Sequence, residues 1–91
     1  MQIQFIRNIQ FTRLLKANGR LREFNFRKPN GLREGQVTVD VCDDRGNRIM
    51  FFMEKDNEAW KIQERQLPVW IMDAEGSLNE LIGEELRNLY A

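Results

Sequence analysis

The chain has 91 residues, a formal net charge of zero from 14 basic and 14 acidic residues, one cysteine and no histidine. A chain of this length builds one hydrophobic core but not two, so we expect a single domain over residues 1–91. The composition excludes an internal disulfide, and it removes the side chain that most often transfers protons near neutral pH and most often binds metals.

The first predicted element is a hairpin around Asn18-Gly19. This pair favours a two-residue type I′ turn, because both central residues of that turn need a positive φ. The turn sets Leu15 opposite Arg22 and Phe11 opposite Phe26. One side of the hairpin then carries four large apolar side chains, namely Phe11, Leu15, Phe24 and Phe26. A one-residue slip would turn them toward water, so burial and turn chemistry predict the same register.

A second hairpin is predicted around Asp43-Asp44-Arg45-Gly46, as a type I turn with Gly46 in the left-handed conformation. Its register pairs apolar residues on one face: Val41 with Ile49, Val39 with Phe51, and Val37 with Met53. A polar loop over residues 55–58 then leads to another strand, in which Trp60 faces Met53 and Ile62 faces Phe51. These segments predict a three-stranded meander.

The C-terminal quarter is predicted to be helical. Pro68 suits the first turn of a helix, because its missing N–H would have no partner there. From Ile71 onward an apolar stripe recurs at helical spacing and comprises Ala74, Leu78, Leu81, Ile82 and Leu89. Gly76 interrupts this stripe, and the capping-box sequence Ser77-Leu78-Asn79-Glu80 favours a new helix from Leu78. One long helix and two short helices therefore remain alternatives.

Together these elements predict an α+β fold. Its sheet is an antiparallel meander of five strands, with a sixth if residues 3–6 pair. The C-terminal helix packs on one face of the sheet, because its apolar stripe needs a surface to cover.

Few residues are placed for catalysis or metal binding. Cys42 lies in a predicted strand without an imidazole partner, so we interpret it as a small strand residue. Asp40, Asp43 and Asp44 offer oxygen ligands, but the last two belong to the turn and the spacing of a calcium loop is missing. The loop over residues 29–35 lacks a Walker spacing and is interpreted as a connection. We expect no enzyme activity, no cofactor and no metal.

The charges are unevenly distributed. Residues 1–33 contain eight basic residues and one acid, a balance of +7, whereas residues 34–91 contain six basic and thirteen acidic residues, a balance of −7. Residues 21–28 join aromatic rings to cations, a combination that binds single-stranded nucleic acids. The alternative is that Phe24 and Phe26 are core and the cations are solvated at a strand edge. The hairpin register favours this alternative.

The face of the sheet away from the helix is the candidate interaction surface. Its apolar members are Leu14, Leu21, Met50 and Phe52, and its basic members are Lys16, Arg27, Arg48 and Lys61. Glu23, Asp40 and Glu54 share the face and reduce its net charge to about +1. Antiparallel sheets leave one face in water, but Phe52 beside Met50 is more apolar than that requires.

The predicted function is non-catalytic protein association, principally with a second copy of the chain, through this open sheet face or a sheet edge. A small core gives self-association a physical advantage, since it buries a further surface. The alternative is binding of single-stranded DNA or RNA through the basic hairpin and the sheet face. The sequence has no secretory signal pattern and no apolar run of membrane-spanning length, so we expect a cytoplasmic protein without a membrane partner.

Overall fold

The computed structural model describes residues 9–28 and 35–90, with the backbone alone for residues 89 and 90. The strands are β1 (Ile9–Ala17), β2 (Arg20–Lys28), β3 (Gln36–Cys42), β4 (Arg48–Asp56) and β5 (Ala59–Ile62), and the helices are α1 (Val69–Met72) and α2 (Glu75–Tyr90). The strands form one antiparallel sheet in the order β1-β2-β3-β4-β5. This confirms the predicted five-stranded meander. The possible sixth strand at residues 3–6 and most of the loop over residues 29–35 fall outside the described residues.

The turn between β1 and β2 has the predicted geometry. Asn18 and Gly19 have φ values of 55° and 84°, which both lie in the left-handed region. The ladder runs from Ala17 opposite Arg20 to Ile9 opposite Lys28 without interruption. The rings of Phe11 and Phe26 lie opposite each other and stack, with centroids 4.6 Å apart and an interplanar angle of 7°.

The turn between β3 and β4 is also confirmed. The N–H of Gly46 donates to the carbonyl of Asp43 at 3.0 Å, and Gly46 has a φ of 83°. Val41 lies opposite Ile49, Val39 opposite Phe51 and Val37 opposite Met53, as predicted. Asp43 fixes the loop further, because its carboxylate accepts hydrogen bonds from the N–H groups of Arg45 at 2.9 Å and Asn47 at 2.8 Å.

The register of β5 differs from the prediction by two residues. Ile62 lies opposite Met53, and Trp60 lies opposite Lys55. The cause is the turn, which is not a loop over residues 55–58 but a two-residue connection in which Asn57 and Glu58 both have positive φ. β4 consequently continues to Asp56. A shift of two residues preserves the alternation, so Trp60 still packs in the core.

The helical region consists of two helices, as one of the two alternatives predicted, but only α1 is short, with four residues, whereas α2 has 16. The break falls between Met72 and Glu75, earlier than the capping-box sequence predicted, so Ser77 lies inside the first turn of α2. Pro68 does not lie in the first turn. It precedes α1 as the N-cap with extended backbone, φ −54° and ψ 145°. Proline suits that position because its fixed φ is compatible with an extended residue.

The core lies between one face of the sheet and the helices. Its fully buried members are Phe24, Phe26, Val39, Val41, Phe51 and Met53 from the sheet and Ile71, Leu78 and Ile82 from the helices. Burial of each large side chain contributes about 1.5–3 kcal/mol. We call the side of the sheet that carries these residues the core face and the opposite side the outer face. The predicted packing of the C-terminal helical region on one face is thus observed.

Candidate interaction surface and sheet edges

The outer face carries all eight residues that the sequence predicts for the interaction surface: Leu14, Lys16, Leu21, Arg27, Arg48, Met50, Phe52 and Lys61. Four of them are exposed large apolar residues, with exposed fractions of 64% for Leu14, 66% for Leu21, 54% for Met50 and 41% for Phe52. The structure thus places these residues together on one surface. That the surface binds a partner stays a prediction.

A chain of polar side chains crosses the middle of the outer face. The hydroxyl of Thr12 donates to the Asn25 amide oxygen at 2.7 Å, and the Asn25 amide nitrogen donates to the Asp40 carboxylate at 3.0 Å. Arg48 donates to the same carboxylate at 3.3 Å, and Arg27 lies 3.9 Å from it. Asp40 is 5% exposed. The two arginines therefore share a buried counter-charge.

This polar chain separates the exposed apolar residues into two groups. Leu14 and Leu21 lie on β1 and β2 toward the Asn18-Gly19 turn, whereas Met50 and Phe52 lie on β4, opposite Asp40 and Thr38 of β3. Each group is small, and neither is an extended apolar patch of the kind that marks a face-to-face protein interface.

The β5 edge of the sheet is covered by α2. The side-chain oxygen of Asn79 accepts a hydrogen bond from the N–H of Trp60 at 2.7 Å, and the Glu75 carboxylate accepts one from the N–H of Ile62 at 2.8 Å. Asp56 and Ala59 flank a two-residue turn, so they form a pair that exchanges backbone hydrogen bonds. Trp60 and Ile62 belong to the alternate pairs, which do not exchange such bonds, and their N–H groups therefore point away from β4. Helix side chains thus close this edge.

β1 forms the opposite edge. Ala17 and Arg20 flank its two-residue turn, so the backbone groups of the odd-numbered residues of β1 point toward β2. The N–H and C=O groups of Gln10, Thr12, Leu14 and Lys16 point away from the sheet. Among residues 9–28 and 35–90, no strand pairs with this edge. Nine residues long, it is an available template for another strand.

Arg22 is a core-face residue, although the sequence suggested a role among the solvated cations of the hairpin. Its side chain is 5% exposed, and its guanidinium carbon lies 4.4 Å from the centroid of the Trp70 ring. Nε donates to the carbonyl of Ala17 at 2.8 Å, and Nη1 lies 3.0 Å from the Asp44 carboxylate. The predicted register, with Arg22 opposite Leu15, already indicated this side of the sheet.

A cleft of about 260 Å³ separates the first half of β2 from the turn after β3. The two strands pair only from Asn25 to Arg27, and beyond that point they diverge. Asp44 bridges the gap through ion pairs with Arg20 at 2.7 Å and Arg22 at 3.0 Å. Hydrogen bonds from Arg20 and then Arg22 lower the pKa of the Asp44 carboxyl below its usual value. The cleft contains charges of both signs.

The potentially reactive side chains of the described residues are the Cys42 thiol and the acidic groups. Cys42 is an exposed free thiol at the end of β3. In residues 9–28 and 35–90, His, Cys, Asp and Glu side chains form no group of three or more that would hold a metal ion. Neither helix of this part of the chain combines the length and the apolar character needed to cross a membrane.

The sequence reasoning missed the helix side chains that cover β5. Asn79 and Glu75 read as ordinary polar residues of an amphipathic helix, and only the packing of α2 beside β5 reveals their role. The asymmetry between the two edges was therefore not predicted. Comparison of the chain with protein-family models, with curated proteins and with solved structures found no match.

Proposed function

We propose that this protein is a non-catalytic association module that binds a second copy of itself through the edge of β1. The observation that carries this proposal is the asymmetry of the sheet: α2 covers the β5 edge, whereas four alternate residues of β1 direct their backbone groups outward and pair with no strand of residues 9–28 and 35–90. A strand that adds to such an edge gains a row of main-chain hydrogen bonds.

The edge is a better candidate than the outer face. A face-to-face interface needs a continuous apolar centre, and the polar chain from Thr12 to Arg48 divides this face. The side chains at the β1 edge suit partial burial. Phe11 and Leu15 pack against the core but stay partly exposed, and Leu14 is largely exposed. A second strand would cover all three.

Sedimentation of the purified protein over a wide micromolar range tests this proposal, together with two variants. Leu14→Pro removes an outward-pointing N–H, and proline is tolerated at such an edge position because no bond to β2 is lost. Leu14→Ala is the matched control, because it shortens the side chain but keeps the N–H. We expect the wild-type chain and Leu14→Ala to associate and Leu14→Pro to stay monomeric.

Phe52→Ser separates the edge from the outer face, because Phe52 lies on β4, far from the β1 edge. We expect this variant to associate like the wild type. A wild-type protein that stays monomeric at every concentration overturns the proposal. Association that survives Leu14→Pro but disappears in Phe52→Ser would assign the interface to the outer face instead. Far-UV circular dichroism checks that each variant is folded.

Single-stranded nucleic acid is the second candidate partner, supported by the exposed ring of Phe52 on a face with four basic residues. The support is limited by the position of Phe24 and Phe26 in the core and by the pairing of Arg27 and Arg48 with Asp40. Fluorescence anisotropy with labelled DNA and RNA oligonucleotides at low salt tests it. Binding that weakens in Phe52→Ser would favour this candidate.

The location that we propose for the module is the cytoplasm. The single cysteine of the sequence requires no oxidising compartment, and Cys42 is a free thiol.

A further inference from the structure

We infer that the two copies join β1 to β1 in one antiparallel register, centred on Arg13, so that the described strands of both copies form one continuous sheet. The inference rests on the proposed self-association through β1 and adds the geometry of the pairing. In this register Arg13 lies opposite Arg13 of the second copy, and Ile9 lies opposite Ala17 of the second copy. All nine residues of β1 then have partners.

The backbone restricts the possible registers. Only the even-numbered residues of β1 direct their N–H and C=O groups outward, so an even-numbered residue of one copy must pair with an even-numbered residue of the other. A shift of one residue would oppose outward-pointing and inward-pointing groups and lose the ladder. The allowed registers therefore differ by steps of two residues, and those that pair at least seven of the nine residues of β1 have the symmetry axis at Thr12, Arg13 or Leu14.

The side chains on the core face select among these registers. With the axis at Arg13, Phe11 of each copy lies opposite Leu15 of the other, which covers two partly exposed apolar residues per chain. With the axis at Thr12, Phe11 lies opposite Arg13, and with the axis at Leu14, Leu15 lies opposite Arg13. Each of these shifts places an apolar side chain against a charge, which is less favourable than an apolar pair.

The central arginines bring their own counter-charges. Glu84 of α2 forms an ion pair with Arg13, whose side chain is 26% exposed. Two arginines directly opposite each other would repel. Because each brings a carboxylate from α2 on the same side of the sheet, the centre of the interface contains two positive and two negative charges. The two-fold axis is perpendicular to the sheet, so both cores lie on the same side and become continuous.

Disulfide trapping in the 91-residue chain with Cys42→Ser tests the register. Arg13→Cys places two thiols in a pair that does not exchange backbone hydrogen bonds, where Cα atoms are about 4.5 Å apart, within the range of a disulfide. Gln10→Cys is the control, because its two copies would be six residues apart along the strand, roughly 20 Å. We expect on the order of tenfold more covalent dimer for Arg13→Cys under mild oxidation.

A second experiment keeps Arg13 in place. Thr12 lies opposite Leu14 of the second copy, so a mixture of Thr12→Cys and Leu14→Cys chains should form the mixed disulfide in preference to either homodimer. Self-linking of Thr12→Cys alone, or of Leu14→Cys alone, would assign a shifted register and overturn the inference. Sedimentation of the Cys42→Ser protein separates the two levels: a dimer without these cross-links overturns only the register, and a monomer overturns the proposed function as well.

Discussion

Gly83 lies inside α2, where glycine is entropically unfavourable compared with alanine. A Cβ added at this position would be 3.5 Å from Nη1 of Arg87, an ordinary contact with the end of a flexible side chain. Gly83→Ala should therefore raise the free energy of unfolding by about 0.5–1 kcal/mol. Urea denaturation at a fixed protein concentration measures this change.

Gly19 is the contrasting position for the same substitution. A Cβ would have no atom within 4 Å there, but the φ of Gly19 is +84°. Because an L side chain in the left-handed region costs about 1–2 kcal/mol, Gly19→Ala should lower the free energy of unfolding. If both variants shifted stability in the same direction, backbone conformation would not be what distinguishes these glycines.

Arg22 illustrates how far the sequence could lead at the residue scale. Alternation in the predicted hairpin placed it opposite Leu15, on the core face, and the structure confirms that side. Its stacking on Trp70 was not predictable, because the position of Trp70 depends on the path of the chain between β5 and α1. Without that contact the sequence groups Arg22 with the solvated cations of the hairpin. Because its side chain is 5% exposed, a charge reversal at Arg22 would disturb the core before it affected any ligand.

At the scale of elements, strand pairing followed from turn chemistry wherever the turn was recognised. Asn18-Gly19 and Gly46 adopt the positive φ values that their residue types favour, and the registers of both hairpins were predicted correctly. The two-residue turn at Asn57 and Glu58 was not predicted, because glutamate seldom adopts a φ of 73°. The register of β5 was wrong by two residues for that reason alone.

The contact between α2 and β5 makes a quantitative prediction. Asn79→Ala leaves the part-buried N–H of Trp60 without its acceptor, and an unsatisfied buried donor costs about 1–3 kcal/mol. The better helix propensity of alanine offsets part of this cost. We expect a net loss of about 1 kcal/mol in the free energy of unfolding, measured by urea denaturation.

The control for this experiment is Glu80→Ala. Glu80 is the next residue of α2 and is exposed, so its removal should change stability by less than about 0.5 kcal/mol. Amide hydrogen exchange gives a local measurement: protection of the Trp60 N–H should fall in Asn79→Ala and stay unchanged in Glu80→Ala. Equal protection in the two variants would show that Asn79 does not hold the β5 edge.

For the whole molecule, Asp44 adds a contact between two hairpins that also share a short ladder, the polar chain through Asn25 and Asp40, and the hydrophobic core. β2 and β3 pair over three residues, and beyond them Asp44 bridges to Arg20 and Arg22 across the cleft. The sequence predicted each hairpin by itself, since turn and alternation are local signals. How the hairpins diverge was not predictable, because the ion pairs of Asp44 join residues more than twenty positions apart.

These contacts predict how stability depends on pH. Hydrogen bonds from Arg20 and Arg22 lower the pKa of Asp44, and those from the N–H groups of Asn47 and Arg45 lower the pKa of Asp43. A carboxyl with a lowered pKa in the folded state binds fewer protons than in the unfolded state, so stability rises with pH through this range. The stabilisation is present above the usual value of 3.8 and disappears as pH falls through the folded values.

Asp44→Asn separates this contribution from the general effect of acid. The variant cannot lose a carboxylate at position 44, so its stability should fall less between neutral pH and acid than that of the wild type. Asp56→Asn is the matched control, because it removes an exposed carboxylate of β4 outside the ion pairs that bridge the cleft. Urea midpoints across this pH range give the comparison. If Asp44→Asn kept the full pH dependence of the wild type, the bridge across the cleft would not contribute to folding, and the hairpins would be held together by the ladder of Asn25 to Arg27 with β3, the polar chain and the core.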